Sequence, residues 1–411
     1  MNQFQFQFVI NKQLIRIIKI LDQFQHVSTC SAIELSKIVG ASHRTILGDI
    51  KEIKEFFDDS IILTSSNAGY IFRIVNKPLF LEKKRKLSEK EPLFQIIESI
   101  FFSDIYSLNE WSEKLHSTKT SLIRYIGRIN PILNRYGIEL STKKIDFIGN
   151  EINIRQFFHD FFYESDITPH SAFPSIATQE IIMELKTSQF FNEHLNIPFF
   201  HFNYILFITL ERYIKGKTVN NYLNEFIISK MSLSKKIENS DFYHLKELVK
   251  KFYNTELSDY EQIYIYFYMF TSRSIVSLDA EKKFIYQFNN WPETNSLATQ
   301  FINLFDISDE QKKISLTLFH AFFVNLFLKH SVSPVLIQNL STISHHASKT
   351  FQVLYAICHN YIKDNISDIL CLNEKQIEDV SADLTLYTDA IKNKYWIKKK
   401  KFSLFSKEIN T

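Results

Sequence analysis

Glycine and proline are scarce in this chain of 411 residues, at 7 and 8 positions. So few glycines argue against Gly-rich phosphate loops, so few prolines argue against Pro-rich linkers, and both shortages favour helix. Cysteine is scarcer still. Cys30, Cys358 and Cys371 lie far apart, which excludes a disulfide framework and suits a reducing cytosol. Charge of one sign is also lacking. A net charge of +3 does not by itself indicate nucleic acid, so any such role depends on basic residues gathered on one face. Long apolar runs are absent. The most apolar stretches are Ile263–Phe270 and Ile314–Leu328, and Ser315, Thr317, His320 and Asn325 interrupt the second. Both fall short of the roughly 20 residues a spanning helix needs and read as buried core helices. The start, MNQFQFQFVINKQ, has no basic segment leading into an apolar core, so no signal peptide is expected. A cytoplasmic location with no membrane contact follows as an expectation.

What is present is ordinary globular material. Apolar residues make up 45% and charged residues 23%, and the length implies two to four domains. The feature that stands out is a pair. Residues 31–57, SAIELSKIVGASHRTILGDIKEIKEFF, read as helix, tight turn, helix. Residues 107–136, SLNEWSEKLHSTKTSLIRYIGRINPILNRY, read the same way. Each pair follows an amphipathic helix and precedes strand-like segments. That is the outline of a winged helix-turn-helix, given twice.

In the first unit, Leu14, Ile17, Ile18, Leu21 and Phe24 form one helical stripe. Ser31-x-x-Glu34 has the capping-box form, with Leu35, Ile38 and Val39 expected inward. Gly40-Ala41 makes the turn, where glycine accepts a positive φ cheaply. Ser42 can cap the next helix, whose inner face is Ile46, Ile50, Ile53 and Phe57. Ile61–Thr64 and Tyr70–Ile74 then alternate as a wing hairpin. Residues 82–91, EKKRKLSEKE, read as a solvated connector or helix end.

Pro92 opens the second unit as a first helical residue, with Leu93, Ile96, Ile97 and Ile100 inward. Ser107-x-x-Glu110 repeats the capping box, Trp111 and Leu115 face in, and His116-Ser117 turns. Thr118 starts a helix with Leu122, Ile126 and Ile129 inward, and Pro131 is expected to kink or shorten it. Ile138–Leu140 and Ile145–Ile148 flank a second wing turn, Ser141 to Lys144.

From about residue 150 the pattern is helical, in segments that include Leu297–Phe305, Gln311–Leu328, Lys349–Tyr361 and Ala382–Ile391. Two similar halves of about five helices each are expected, and the Lys-rich stretch Lys392–Lys401 reads as a fraying helix end. The fold class is therefore mainly α, with two winged helix-turn-helix domains (1–80 and 81–165) followed by two all-helical bundles (166–287 and 288–411).

A helix-turn-helix reads base edges from the outer face of its second helix, near the N-terminus. In the first unit those positions are Ser42, His43, Arg44, Thr45 and Lys51. Arg44 can present two hydrogen bonds to a guanine edge, whereas Ser42 and Thr45 suit phosphate. In the second unit they are Lys119, Thr120, Ser121, Arg124, Tyr125 and Arg128, with Arg124 and Arg128 one turn apart. Lys143 and Lys144 on the second wing would meet backbone or minor groove. Each set taken alone could equally be a solvated helix face. The repeat, with two wings, favours double-stranded DNA.

The module order resembles the Mga-type virulence regulators of Gram-positive bacteria, including their RofA-like members. The stretches that carry the resemblance are the two helix-turn-helix segments quoted above, each with its wing, to Ile74 and to Gly149. The resemblance implies bundles similar to phosphotransferase-system regulation domains (PRDs), in which sugar-uptake proteins phosphorylate histidines. It also implies a homodimer that activates virulence or sugar-responsive genes. A domain similar to a sugar-transport IIB protein often follows in that family, and here it reads as missing or reduced to a remnant. Two positions depart from the expected histidine pattern. In LSDYEQIYIYFYMF, Tyr268 stands where histidine is expected, and in FHFNYILFITLERYIKG, His201 falls about one turn early, with Ile205 nearer the position. His320, His345, His346 and His359 are then the candidate phosphorylation sites.

Catalysis has no foothold. There is no P-loop, G-x-S-x-G, H-E-x-x-H or paired-carboxylate motif, so the chain reads as no enzyme and as needing no cofactor. His345-His346 and Cys358-His359 lack metal-ligand spacing, so no metal is expected. Two rivals remain. One is a PRD-containing RNA-binding antiterminator, whose small β-rich N-terminal module is not what residues 1–80 suggest. The other is a non-enzymatic interaction scaffold whose winged units bind protein.

Overall fold

A computed structural model describes residues 3–164, 172–187, 199–220, 222–233, 240–273 and 277–396. The protein is mainly helical. The chain divides into two compact units, Met1–Ser274 and Ile275–Thr411.

The first unit begins with a short helix α1 (Gln3–Phe6) and then α2 (Lys12–His26), capped by Asn11. A strand β1 (Thr29–Cys30) leads to α3 (Ala32–Val39), α4 (His43–Phe57), and the hairpin β2 (Ile61–Ser66) and β3 (Gly69–Ile74). The three strands form an antiparallel sheet in the order β1-β3-β2. Ile17, Leu21, Phe24, Leu35, Ile46, Ile50, Ile53, Phe57, Leu63 and Phe72 form its core. The hairpin turn is tighter than the sequence suggests. Pairing continues to Ser66 opposite Gly69, and only Asn67 and Ala68 stand between them. Gly69 has φ +122°, and a Cβ there would lie 2.6 Å from the Cys30 carbonyl oxygen, so β1 and β3 can approach only at a glycine.

The second winged unit repeats the plan. Helices α5 (Lys77–Lys86), α6 (Pro92–Phe101), α7 (Leu108–Lys114) and α8 (Lys119–Arg135) are followed by the antiparallel pair β4 (Ile138–Leu140) and β5 (Phe147–Gly149). The two helix-turn-helix segments coincide at a constant offset, Ser31 matching Ser107. Both serines complete capping boxes, with Glu34 and Glu110. Ser36 Oγ donates to the Ala41 carbonyl, and Ser112 Oγ donates to the Ser117 carbonyl. At the turn, Gly40 has φ +71° and His116 φ +47°. Ser42 and Thr118 then cap α4 and α8.

Several expectations need correction. Ile38 does not face inward but is 47% exposed, and Leu35 carries the inner face of α3. The charged segment 82–91 is no solvated connector throughout. Lys84 is buried beside Asp22, and Glu91 is buried where its Oε2 accepts the Ile10 N–H at 2.7 Å. Pro131 does not end α8. Burial of Ile129, Ile132 and Leu133 holds the helix through the missing N–H to Arg135. The N-terminal residues also pack on the second winged unit. Phe4 and Phe8 lie against Phe157 at 6.1 and 5.9 Å between ring centroids, and Gln5 Nε2 donates to the Phe161 carbonyl.

After β5 comes α9 (Glu151–Phe162), then α10 (Ile176–Lys186), α11 (Phe199–Ile214), α12 (Glu225–Leu233), α13 (Ser240–Tyr253) and α14 (Asp259–Thr271). Helix α14 is buried along its length, and α11 packs between it and α9.

The second unit holds α15 (Leu278–Phe288), α16 (Glu293–Ile302), α17 (Asp309–Val332), α18 (Ser341–Thr350), α19 (Gln352–Asn365) and α20 (Glu374–Ile391). Phe301, Phe319, Phe323, Tyr361, Ile362 and Leu384 lie at its core. The stretch read as one helix from Lys349 to Tyr361 is two, broken at Phe351 (φ −117°, ψ 45°). Helix α15, which the sequence reading assigns to the first bundle, packs on α17 in this unit. Of the Lys-rich stretch, Lys392–Trp396 continues as a single π turn, and the remainder lies outside the described residues.

Candidate nucleic-acid interface

The second helices of the two helix-turn-helix units, α4 and α8, present matched outer faces. In α4, Ser42 Oγ accepts the Thr45 N–H at 3.2 Å and lies 2.8 Å from Thr45 Oγ1. In α8, Thr118 Oγ1 accepts the Ser121 N–H at 3.2 Å and donates to Ser121 Oγ at 3.0 Å. Each hydroxyl pair uses one proton internally and keeps one O–H that can reach a phosphate oxygen. Ser42, His43, Arg44 and Lys51 are exposed, and Thr45 is half-buried by the cap. Lys119, Thr120, Arg124 and Arg128 are exposed, while Ser121 and Tyr125 are half-buried. The Arg124 guanidinium lies 5.6 Å from the Tyr125 ring centroid, which restrains it on the outer face.

Charge separates the two helices. Helix α4 balances Arg44, Lys51 and Lys54 against Asp49, Glu52 and Glu55. Arg16 grips the buried Asp49 at 2.7 and 3.0 Å, and Lys51 sits 3.7 Å from Glu55. Helix α8 carries Lys119, Arg124, Arg128 and Arg135 with no acid. Lys143 and Lys144 are exposed between β4 and β5. Glu110 at the start of α7 is held below its ordinary range, chiefly by the Ser107 backbone N–H, with Lys144 and Lys114 adding attraction. Of the two winged units, the second therefore presents the more positive helix and wing, a distinction the modest net charge of the chain conceals.

Two residues on the outward faces are apolar. Leu47 is 41% exposed and Ile123 is 54% exposed, each five residues past its helix cap. An apolar side chain on that face suits a thymine methyl. The signal available in sequence was the shared spacing, since each follows a buried neighbour, Ile46 and Leu122.

Residues 80–162 match the Mga helix-turn-helix domain family. The match spans the second winged unit and the helix α9 that follows it. The chain is also similar to three regulators. It is 26% identical to a Streptococcus pneumoniae serotype 4 protein assigned as a trans-acting regulator, over 158 residues. That match covers 38% of this chain and 32% of the relative, about a third of that protein's length. It is 22% identical to the capsule synthesis positive regulator AcpB of Bacillus anthracis, over 97% of this chain and 83% of that one. It is 22% identical to AcpA of the same organism, over 69% of this chain and 58% of that one. The resemblance to Mga-type regulators therefore holds.

Four buried charges fasten the second winged unit and α9 to the helices after them. Glu151 and Arg155 stand on α9, Arg212 on α11 and Glu261 on α14, and none is more than 5% exposed. Arg155 meets Glu261 at 2.6 and 3.1 Å and Glu151 at 3.1 Å. Arg212 meets Glu151 at 2.9 and 2.8 Å and donates to the Ile100 carbonyl at the end of α6. Burial alone would push the Glu151 carboxyl up, yet Arg212 and Arg155 overcome it and hold it below the ordinary range. Two cations face two anions, so the cluster is neutral and each member satisfies another.

The candidate histidines are scattered. His320 on α17 is half-buried, with Nε2 3.1 Å from Thr294 Oγ1 and 3.3 Å from Asn289 Nδ2. Burial holds its imidazole below the ordinary value. His345 and His346 are exposed on α18, and His346 Nδ1 lies 3.3 Å from Thr350 Oγ1. His359 on α19 is half-buried beside Tyr355. In the first unit Tyr268 is buried, donates to Gln156, and lies 6.0 Å from the His201 ring. Among the described residues no helix is long and apolar enough to cross a membrane.

Proposed function

We propose that the chain is a sequence-specific, double-stranded DNA-binding transcription regulator, acting positively on virulence or sugar-responsive genes. The observation that carries this reading is that α8 holds Lys119, Arg124, Arg128 and Arg135 with no acid of its own, beside the wing lysines Lys143 and Lys144, inside a segment that matches the Mga helix-turn-helix family. On this reading Arg124 and Arg128 contact base edges, with Ile123 against a thymine methyl. Lys119, Thr120, Ser121 and Tyr125 flank them, and Lys143 and Lys144 hold phosphate. In the first unit Arg44 reads a base, while Ser42, His43, Thr45 and Lys51 position the helix on the backbone. The names of AcpA and AcpB support positive regulation.

The working arrangement is a cytoplasmic homodimer without enzymatic activity. Winged domains lie at 1–80 and 81–165, with one PRD-like bundle completing the first compact unit to Ser274 and another from Ile275, not 288, onward. A dimer would set equivalent α8 helices about 34 Å apart, one turn of DNA, or a multiple of it. Phosphotransferase-system proteins would signal through His320, His345, His346 or His359. Titrating labelled duplex DNA against a structured RNA of equal length tests the reading. Duplex binding at least tenfold tighter is expected, and preference for RNA would favour the antiterminator instead. Sedimentation of the full chain tests the dimer, and monomer at micromolar concentration would contradict it.

A further inference from the structure

Away from the recognition helices, α9 and α11 meet along an aromatic edge. The rings of His159 and His201 lie 4.8 Å apart at 74°, and one turn further along Tyr163 and Tyr204 stack at 4.0 Å. Just past the end of α9, Glu164 comes to the same place. One ligand atom from each of His159, Glu164 and His201 lies within 4.8 Å of the others. His159 is buried, His201 half-buried and Glu164 exposed, so the group opens to solvent on one side.

We propose that His159, His201 and Glu164 form a binding site for one zinc-class divalent ion. Two imidazoles and a carboxylate are a donor set for zinc, cobalt or nickel, whereas magnesium and calcium take oxygen alone. Bonds of about 2.0–2.2 Å place tetrahedral ligand atoms about 3.3–3.5 Å apart, so the three atoms must draw in by up to about 1.5 Å. Glu164 can supply that movement, because it follows Tyr163, the cap of α9, and is exposed. Three protein ligands leave a fourth position to water.

The surroundings suit such a site. His159 Nδ1 lies 3.4 Å from Asp160 Oδ1. An Nδ1–H directed at that carboxylate leaves Nε2 as the ligand atom, the arrangement in which an outer carboxylate orients a metal-bound imidazole. Asp160 is itself fixed, accepting from Tyr136 Oη at 2.7 Å and Gln156 Nε2 at 2.8 Å. Tyr136 caps α8, the second helix of the second helix-turn-helix. An ion joining α9 to α11 would therefore tighten the same junction that the buried charges hold. The spacing of these residues in sequence gives no such hint, because His159 and His201 come from different helices.

The full chain, stripped with EDTA and dialysed, should bind one cobalt(II) ion and develop the visible absorption of a tetrahedral site. Zinc should displace the cobalt. Glu164→Gln should weaken zinc binding at least tenfold, and His201→Gln should abolish the cobalt spectrum. Circular dichroism of the metal-free variants should match the parent, and if His201→Gln fails to fold, the exposed Glu164→Gln decides. Cys371→Ser and the double change His345→Ala, His346→Ala should leave binding intact. The proposal is overturned if the parent chain binds no ion. It is equally overturned if Glu164→Gln binds as the parent does, or if one of the control variants removes the ion.

Discussion

Arg212 and Glu151 meet through two hydrogen bonds, 2.9 and 2.8 Å long, with both side chains buried. One comes from α11, the other from the first turn of α9 directly after the second wing. The contact ties the second winged unit to the helices behind it within the first compact unit. Glu151→Gln should leave Arg212 and Arg155 short of one anion. Removing one partner of a buried pair costs about 3–5 kcal/mol. Urea unfolding of the full chain checks this, and a loss below about 1 kcal/mol would show that the cluster adds little beyond packing.

The first wing depends on Gly69. Its φ of +122° and the 2.6 Å approach of a built Cβ to the Cys30 carbonyl leave no room for alanine. Gly69→Ala should part β1 from β3, at a cost of about 1–3 kcal/mol. The Phe72 amide, which donates to the Ser28 carbonyl at 2.9 Å, reports the damage through hydrogen exchange. Faster exchange at Phe72 is expected, and unchanged protection would mean that the strands can shift to accept the methyl.

Asp383 gives the second unit a pH dependence. Burial pushes its carboxyl up to about 6, against the Asn339 hydrogen bond and the pull of Lys329, while Asp379 adds repulsion. The folded state therefore holds the proton more tightly than the unfolded chain. The contribution of Asp383 is most favourable below its ordinary value of 3.8 and is lost as pH rises to about 6. Asp383→Asn should be more stable than the parent at pH 7, with the difference shrinking to nothing near pH 4. Paired melting curves across that range measure it, and a constant difference would remove Asp383 as the cause.

Much of this architecture was legible in the chain because its cues are local. Capping boxes at Ser31 and Ser107, the left-handed turn at Gly40, and the apolar spacing of Ile46, Ile50 and Ile53 each act within a few residues. Both helix-turn-helix units and both wings follow from them. Long-range packing was not legible. Ile38 fits a helical stripe, but the protein buries Leu35 and leaves Ile38 in water. Lys84 and Glu91 look solvated until Asp22 and the Ile10 amide are brought to them. The junction of Glu151, Arg155, Arg212 and Glu261 spans more than a hundred positions, and no periodicity announces it. The positive face of α8 could be read residue by residue, but its contrast with α4 needed the pairing of Arg16 with Asp49.

Lys143 and Lys144 should act through phosphate alone. Replacing both with alanine should weaken all duplexes similarly and reduce the slope of log affinity against log salt by up to about 2. Affinity measured across a salt series checks this. An unchanged slope would take the second wing out of the interface.

Sequence-specific duplex recognition through α8 is the central claim. Its most direct measurement is selection of duplexes from a random pool with the full chain, followed by affinities of the parent, Arg124→Ala and Arg128→Ala. A lost base contact costs about 1–3 kcal/mol, so each variant should lose roughly tenfold or more on the selected duplex and little on a scrambled one. Failure to enrich any sequence, or equal losses on both duplexes, would contradict the account.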